Sequence, residues 1–533
     1  MTYESPTGVE TPEKADKKLS SRWTELEGKK TNLVNRSYDY AMWTLPYIFP
    51  RTEVKDSELQ GPLDSIGARA VNHLSNKLVM TLYQPAQPFF RLVVNDDVAE
   101  ELAMKAKEGD ENASQVITEL DKALAKTEKQ AMKELDYNHY RTEATTAAKN
   151  LIITGNALMY HPEGKNGRTQ VYSVKDYCVC RDLSGTVVEF MTKDTKALFT
   201  FDKKVRDLLE AADKDKYSKS DKQVCIYTQV KLEDDGKYHL TQYADESKLD
   251  SSGFWSAEEL PWIVLTWNLV RGEDYGRGLV EDYAGAFHAL YVLAQSEVDV
   301  VAIAADIKFL VDPGSTIDVE ELNNSESGTY HSGKEGDITC NQLNKAVDMA
   351  MVESMVQRLE QQIGAAFLLQ SAVTRDAERV TAEEIRHNAN ELDIAHGGVY
   401  SRFSEEWQYR TAVLMLKRIK IDLGNNKTID PVIITGLDSL SRAGDLDNLR
   451  LLVGDLALLE AVPEEIRAAI DPSKFIAYCG VRRGVDYEKF LKSPGTIQAE
   501  QEAQAQQLQA ETEMQAATKF AGEAAKTGLK EGE

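Results

Sequence analysis

The sequence predicts a helix-rich α+β fold, and three observations support this prediction. Long segments on both sides of residues 156–267 carry apolar residues at the spacing of a helix. The residues in between form short runs rich in β-branched and aromatic side chains, separated by turn residues. Hydrophobic residues make up 42% of the 533-residue chain, so most of its length is able to bury a core.

The N-terminal part predicts helices preceded by a disordered start. Residues 1–18 are polar and charged, and they lack the apolar segment of a signal peptide. A first helix is expected from Leu19 to Trp43, because Pro46 and Pro50 follow it. Further helical ranges are 61–84 and 98–154. No window reaches the ~20 apolar residues that span a bilayer, so we expect a soluble chain made in the cytoplasm.

The block from Asn156 to Trp267 predicts a mixed module of small antiparallel sheets. Its strand-like runs are ALMYH, QVYSV, YCVCR, VVEFMT, QVCIYTQV, YHLTQY and WIVLTW. Residues that favour turns, namely Gly, Asp and Asn, stand between the runs. The stretch from Asp202 to Asp221 interrupts this pattern and predicts a helix with a lysine-rich end.

Two helices are predicted to flank an irregular, polar insert. The first helix covers residues 278–306, the insert 307–345, and the second helix 346–367. The apolar stripes consist of Tyr283, Phe287, Leu290, Ala294, Val298, Val301 and Ala305 on the first helix and of Val352, Val356, Leu359, Ile363 and Phe367 on the second. Because each stripe is apolar, we expect each to be buried against another surface.

A long helix is predicted from Thr381 toward Ile421. Thr381 and Glu384 fit a capping box, in which each side chain binds a free amide of the first turn. The pair Gly397–Gly398 lowers helix stability, so a kink or a close helix crossing is expected there. Residues 445–491 are again helical, whereas the Gln-, Ala- and Glu-rich segment after residue 494 cannot build its own core.

The acidic balance of the chain argues against general DNA binding. The formal net charge is −25, whereas duplex DNA is bound mainly by cations that displace its counterions. Such a chain can still surround DNA that slides through it. The five cysteines are too few for a disulfide scaffold and indicate a reducing compartment. Cys178 and Cys180 share one side of a predicted strand, and we expect plain thiols there.

The residues present no catalytic pattern, and one motif is a false match. HExxH, GxSxG and GxGxxG do not occur, and the eight histidines lack metal-ligand spacing, so we expect no enzyme, no metal and no cofactor. Gly328 to Lys334 satisfies GxxxxGK, but Glu335 stands where a Ser or Thr would bind Mg²⁺. Gly336 and Asp337 predict no helix after the motif. A glycine-rich turn between two short strands is the better interpretation.

Five further blocks of the sequence form a recognisable series. They are IGARAVNHLSNKL (Ile66–Leu78), ITGNALMY (Ile153–Tyr160), RGEDYGRGLVEDY (Arg271–Tyr283), FLLQSAVTRDAERVTAEEIRHNANELDIAHGGVYSRFSEE (Phe367–Glu406) and ITGLDSLSRAGDLDNL (Ile434–Leu449). In this order they resemble portal proteins, the head-to-tail connectors of short-tailed, podovirus-type bacteriophages with non-contractile tails. The resemblance covers most of residues 20–450. It implies a portal-type fold with wing, stem, clip and crown regions, in a closed ring of twelve subunits.

The same resemblance implies a division of the chain into regions. After the disordered residues 1–18 they are the wing (19–277, helices and then the β-rich module), a stem helix (278–306), the clip (307–345), a second stem helix (346–367), the tunnel loop (368–380), the long wing-to-crown helix with its following segment (381–444), the crown (445–493) and a Gln/Ala-rich tail (494–533).

The function implied by the resemblance is that of a DNA conduit and a docking site in the virion, at one capsid vertex. Double-stranded DNA would pass through the ring during packaging and during ejection through the host envelope. The large subunit of the terminase would dock on the clip, followed later by the tail adaptor. Major capsid, scaffolding and internal core proteins are further implied partners, without a membrane, and assembly would take place in the cytoplasm of the host bacterium. Twelve copies would carry about 300 negative charges, so DNA would meet repulsion rather than grip.

Three residues of the implied tunnel loop are the candidates for contact with DNA. They are Thr374, Arg375 and Arg379, in the segment SAVTRDAERV. Cations in the channel could touch phosphates even though the chain as a whole is acidic. Arg379 could instead pair with Glu383, four residues further along a helix.

Two other functions stay open at the level of the residues. Helix content and the Gln-rich tail allow a scaffolding or internal core protein, although the β-rich block at 156–267 argues against one. A packaging NTPase would require the motif that ends at Lys334 to bind nucleotide.

Overall fold

The structure is a computed structural model. It describes residues 19–51, 61–85, 88–94, 111–163, 167–213, 217, 221–305, 308–334, 336–341, 346–369, 382–419, 431–435, 453–454, 474–476 and 478–479. Residues 1–18, most of the tunnel-loop range 368–380 and nearly all of the ranges assigned to the crown and the tail therefore lie outside the described residues. The chain divides into two compact units, the first comprising Met1–Gln87, Lys133–Val380 and His387–Arg418, the second Pro88–Met132, Thr381–Arg386 and Ile419–Glu533.

The N-terminal helices follow the apolar periodicity of the sequence. They are α1 (Leu19–Trp43), α2 (Ile66–Leu82), α3 (Glu111–Tyr137) and α4 (Tyr140–Thr154). α1 has the predicted bounds, and the chain leaves it through a short 3₁₀ turn that begins at Pro46. α2 begins later than predicted, because Pro62 and Asp64 precede it and the Asp64 carboxylate accepts a hydrogen bond from the Ile66 amide at 2.8 Å. Its apolar residues at four-residue spacing are all buried, namely Ile66, Ala70, Leu74, Leu78 and Leu82.

The β-rich block forms two antiparallel sheets, as predicted. The strands are β2 (Asn156–Tyr160), β3 (Gln170–Tyr172), β4 (Tyr177–Arg181), β5 (Val187–Ala197), β6 (Gln223–Leu232), β7 (Tyr238–Ala244), β8 (Ser247–Lys248), β9 (Phe254–Trp255) and β10 (Trp262–Thr266). One sheet has the order β10–β2–β3, and the other has the order β4–β5–β6–β7–β8, in which β9 also pairs with β7. The helix expected between β5 and β6 is α5 (Lys203–Ala212). Cys178 is a buried free thiol and Cys180 a partly buried one.

The second unit has its own strand pair. β1 (Phe90–Val94) runs antiparallel to β13 (Pro431–Thr435), with Leu92 opposite Ile433. The Leu92 amide donates to the buried carboxylate of Glu128 on α3, at 2.8 Å. The pairing of β1 with β13 thus joins two segments that are far apart in the sequence.

A pair of long helices with a small sheet between them follows β10. The elements are α6 (Leu279–Asp282), α7 (Ala284–Ala305), β11 (Lys308–Val311), α8 (Val319–Asn323), β12 (Ile338–Asn341) and α9 (Ala346–Ala366). The helix predicted over 278–306 is thus divided, because Tyr283 leaves the helical conformation at φ −111°, ψ 15°. α7 packs against α9, and β11 pairs antiparallel with β12.

The single long helix predicted from Thr381 toward Ile421, with a kink or close crossing at Gly397–Gly398, is divided into separate elements. It consists of α10 (Ala382–His396), α11 (Val399–Phe403), a π-helical turn (Ser404–Tyr409) and α12 (Arg410–Arg418). Gly397 and Gly398 adopt φ values of 65° and 80°, which end α10 instead of only bending it. The Asp393 carboxylate accepts hydrogen bonds from the amides of Tyr400 at 2.7 Å and Ser401 at 3.1 Å, and so caps α11 across the break.

Candidate functional site

The α7–α9 pair has a buried base, at the end where α7 begins and α9 ends. We define the base as Phe287 and Leu290 on α7 together with Ile363 and Phe367 at the end of α9, none more than 3% exposed. The rings of Phe287 and Phe367 meet edge to face, with centroids 5.7 Å apart. The base therefore forms part of the core of the first unit.

Asn156 fixes the chain where it enters this base. Its side-chain nitrogen donates to the carbonyl of Gly276 at 2.8 Å, and its side-chain oxygen accepts from the amide of Gly276 at 2.7 Å. Gly155 adopts φ 79° and lies so close to Gly276 and to Arg277 that a Cβ atom on it would be only 2.4–2.6 Å from their backbone atoms. The Asn156 hydrogen bonds and the close approach of Gly155 therefore hold the start of β2 against the loop before α6.

The distal part of the pair is exposed, in contrast to the base. It comprises Val292, Val298 and Val301 on α7 and Met351 and Met355 on α9, which are between 45% and 70% exposed. Two of these, Val298 and Val301, belong to the stripe that the sequence predicts to be buried. These five side chains are therefore candidates for contact with another macromolecule.

The insert between the helices presents large side chains to solvent. Phe309 and Leu310 on β11 are 67% and 57% exposed, and Tyr330, in the loop before β12, is fully exposed. A two-stranded sheet is marginally stable by itself, and here a short helix, α8, accompanies it. Asp318 caps α8 by accepting hydrogen bonds from the amides of Glu320 and Glu321.

The GxxxxGK match lies in this insert, and its geometry differs from that of a phosphate-binding loop. Lys334 is followed by strand β12 and not by a helix, as the turn interpretation expects. The amide of Lys334 donates to the carboxylate of Asp337 at 2.9 Å. An amide that would face a phosphate in a P-loop is therefore bound to a negative charge of the chain itself.

The predicted DNA contacts Thr374, Arg375 and Arg379 lie outside the described residues. On the N-terminal side, Phe367 is buried and Leu368 adopts φ 57°, an unusual value for leucine. His73 on α2 hydrogen-bonds the backbone of Leu368, and burial lowers the pKa of His73.

On the C-terminal side of these residues, α2 also contacts α10. Lys77 forms a salt bridge with Glu391 on α10 at 2.5 Å. Since His73 and Lys77 are one helical turn apart, α2 holds the chain on both sides of the predicted tunnel loop.

Neither a cluster of metal ligands nor a membrane-spanning helix occurs among the described residues. No group of three or more His, Cys, Asp and Glu side chains in this part of the chain is arranged to hold a metal ion. None of the described helices combines the length and the apolar character needed to cross a membrane.

Sequence reasoning missed three features of this region. The contact of Asn156 with Gly276 joins residues 120 positions apart, and only the glycines of RGEDYGRG signal a close approach. The exposed side chain of Tyr330 has no signal in the pattern. The sequence also does not show where the burial of the α7 stripe ends, because Val298 and Val301 continue the same repeat as Phe287 and Leu290.

Comparison with known proteins gives a match along most of the chain. Residues 16–491 match the family described as bacteriophage head to tail connecting protein. The portal protein of Enterobacteria phage SP6 is 33% identical over 493 residues, which are 92% of this chain and 93% of the relative. The portal protein of Escherichia phage T7 is 30% identical over 461 residues, 85% of this chain and 84% of the relative. For the portal protein of Pseudomonas phage phiKMV the identity is 30% over 497 residues, 91% and 94% of the two chains.

Solved structures give a weaker similarity. A chain from the neck of a native gene transfer agent particle, computed with C12 symmetry, has a TM-score of 0.34 at 9% identity, covering 79% of this chain and 89% of that chain. A score of this size supports no conclusion about this chain.

Proposed function

Because the chain belongs to the bacteriophage head to tail connecting protein family, we propose that it forms a portal ring through which DNA enters and leaves the capsid. The chain is a portal-type head–tail connector of podovirus-type phages and a component of the virion.

The observation that carries the proposal is the exposed distal part of the α7–α9 pair. A ring subunit contacts its neighbours through two different faces, so part of its apolar surface stays uncovered in the isolated chain. The distal valines and methionines are surface of this kind, on a pair of long helices that would lie side by side around the ring. We therefore assign α7 and α9 to the stem, with about twelve copies in the ring.

The small sheet between the stem helices suits a docking surface. Phe309, Leu310 and Tyr330 expose large side chains on a short sheet and its loop. In the proposed ring this clip would bind the large terminase subunit during packaging and the tail adaptor afterwards. The remaining regions would be the wing (19–277), the tunnel loop (368–380), the wing-to-crown segment (381–444) and the crown (445–493). Capsid, scaffolding and internal core proteins would be the other partners.

The charge of the chain suits a conduit for DNA. A ring of acidic subunits repels phosphates, which lowers friction for a duplex that must move. Local cations would then contact DNA in passing, and Arg375, Arg379 and Thr374 are the residues proposed for this contact. In the sequence they stand between Leu368 and Glu391, which contact His73 and Lys77 on α2.

Electron microscopy of the purified chain tests the proposal. We expect rings with a central hole, and class averages that count the subunits. Mass photometry of the same sample would give the assembled mass independently. Only monomers at high protein concentration, together with copy numbers in the hundreds per virion, would contradict the proposal and favour a scaffolding protein.

A further inference from the structure

A polar pocket of about 550 Å³ lies in the first unit, apart from the stem helices. The turn between β4 and β5, strand β10 and the π-helical turn after α11 line it. Three arginines, Arg181, Arg402 and Arg410, face this pocket. π-Helical turns are rare and often occur at functional sites, which gives a first reason to ask what the pocket binds.

Backbone carbonyls hold each of the three guanidinium groups in place. Arg181 donates to the carbonyl of Gly185 at 2.7 Å and to that of Asp274 at 3.2 Å. Arg402 donates to the carbonyl of Trp267, and Arg410 to that of Leu260 at 3.3 Å. These hydrogen bonds to neutral carbonyls orient the three side chains.

Each guanidinium group keeps a buried nitrogen without a partner. These atoms are Nη2 of Arg181, Nε of Arg402 and Nε of Arg410. In the described part of the chain, none of the three arginines forms a salt bridge with a carboxylate. Burial lowers the pKa of Arg181 and of Arg410, because it removes water from the charged guanidinium groups. A buried donor without a partner costs about 1–3 kcal/mol, more when it is charged.

The lining of the pocket defines the anion that fits. Glu405 and Glu406 offset two of the three positive charges, so the net charge of the lining is close to that of one cation. Leu260, Trp262 and Val264 add apolar surface. A single carboxylate on a hydrocarbon stem matches this lining better than a phosphate dianion, which would meet two glutamates and lose more hydration.

We propose that this pocket receives an Asp or Glu side chain from a second copy of the chain. The proposal rests on the proposed ring, in which the pocket of one subunit faces a different surface of the next. The chain has 87 acidic and 62 basic residues, so a second copy offers more carboxylates than cations to a positively charged pocket. Guanidinium forks bind carboxylates through paired hydrogen bonds, so the contact would also fix the register of neighbours.

Two kinds of variant test the proposal on the full-length chain. Arg402→Gln and Arg410→Gln each remove one cation. Thr186→Glu keeps all the arginines and adds a competing carboxylate at an exposed position of the lining. Arg51→Gln is the matched control, since Arg51 is an exposed arginine that pairs with Asp39 and does not line the pocket. Mass photometry over a dilution series measures the protein concentration at half assembly.

We expect the pocket variants to raise the half-assembly concentration about tenfold or more, and the control to change it less than about twofold. Circular dichroism shows whether each variant is folded. If an arginine variant fails to fold, the half-assembly concentration of Thr186→Glu tests the proposal instead, because Thr186 is exposed and its substitution should leave the fold intact. Pocket variants that assemble like the wild type would overturn the inference, while wild-type rings would leave the proposed function standing.

Calorimetric titration with inorganic phosphate and with glutarate separates a small free anion from a second copy. We expect weak binding of glutarate to unassembled chain, abolished in Arg402→Gln, and weaker binding of phosphate. Phosphate binding that is the tighter of the two, with assembly unchanged in the variants, would show that the pocket serves a free anion and would overturn the proposed occupant.

Discussion

On α7 the base and the distal part share one apolar repeat but differ in what covers it. Phe287 and Leu290 in the base are at most 3% exposed, whereas Val298 and Val301 in the distal part are each 52% exposed. The helical period is the same in both parts. The comparison teaches that periodicity predicts which face is to be buried, but not whether the chain itself or another molecule buries it.

Phe367→Ala should produce the largest effect and would test whether the base belongs to the fold. Phe367 is fully buried against Phe287 and Tyr283, so the substitution should lower the free energy of unfolding by ~3–5 kcal/mol. Denaturant unfolding of the unassembled chain measures this change. Phe309→Ala is the matched control, because Phe309 is 67% exposed. Equal losses in the two variants would remove the distinction between core and surface.

Asn156→Ala should weaken the base through its backbone. The substitution leaves the buried amide and carbonyl of Gly276 without their partner, which we expect to cost ~1–3 kcal/mol of unfolding free energy. Thermal unfolding followed by circular dichroism checks the expectation, with the exposed Asn324→Ala as the control. An unchanged melting temperature would mean that the glycine contacts alone hold this junction.

Val298→Asp should impair assembly while leaving the stability of the monomer nearly unchanged. Because Val298 is half exposed, the unfolding free energy of the monomer should change by less than ~0.5 kcal/mol. Assembly should nevertheless fall sharply, since a carboxylate would enter an apolar contact between subunits. Sedimentation velocity measures the assembled fraction. Val270→Asp, at a comparably exposed position, should assemble normally. Normal assembly of Val298→Asp would remove the distal part from the subunit interface.

Arg375→Ala should have the smallest effect on stability and on assembly. The variant therefore tests the passage of DNA separately from the formation of the ring. We expect intact rings whose particles package or retain less DNA, because a cation that touches phosphates is lost. Complementation of a phage that lacks the gene, followed by measurement of DNA per particle, gives the result. Arg51→Ala controls for the loss of one positive charge. Unchanged packaging and ejection would take Arg375 off the set of DNA contacts.

Local signals in the sequence were sufficient for most elements of the fold. Pro46 ends α1 at the predicted residue, and alternating β-branched residues place the strands between Asn156 and Trp267. The outcome at Gly397 and Gly398 was only partly predictable, because glycine permits both a bend and a left-handed turn. The choice depends on the Asp393 carboxylate, which caps the next helix.

The pocket could not be predicted from the sequence for a different reason. Arg181 stands more than 200 residues before Arg402 and Arg410, and each is an ordinary surface residue by its local pattern. Only the fold brings the turn after β4 next to the π-helical turn. Contacts across such a distance depend on tertiary packing, which no window of the sequence contains.

The fully exposed ring of Tyr330 has a consequence for binding strength. In the proposed ring of subunits, each subunit presents one copy of Tyr330, so a partner would meet a circle of identical, weak contacts. Once one contact forms, the next has a high effective concentration, and the total affinity rises without any single tight site. Partners exchanged in succession on the same vertex could thus each be held firmly and still be released contact by contact.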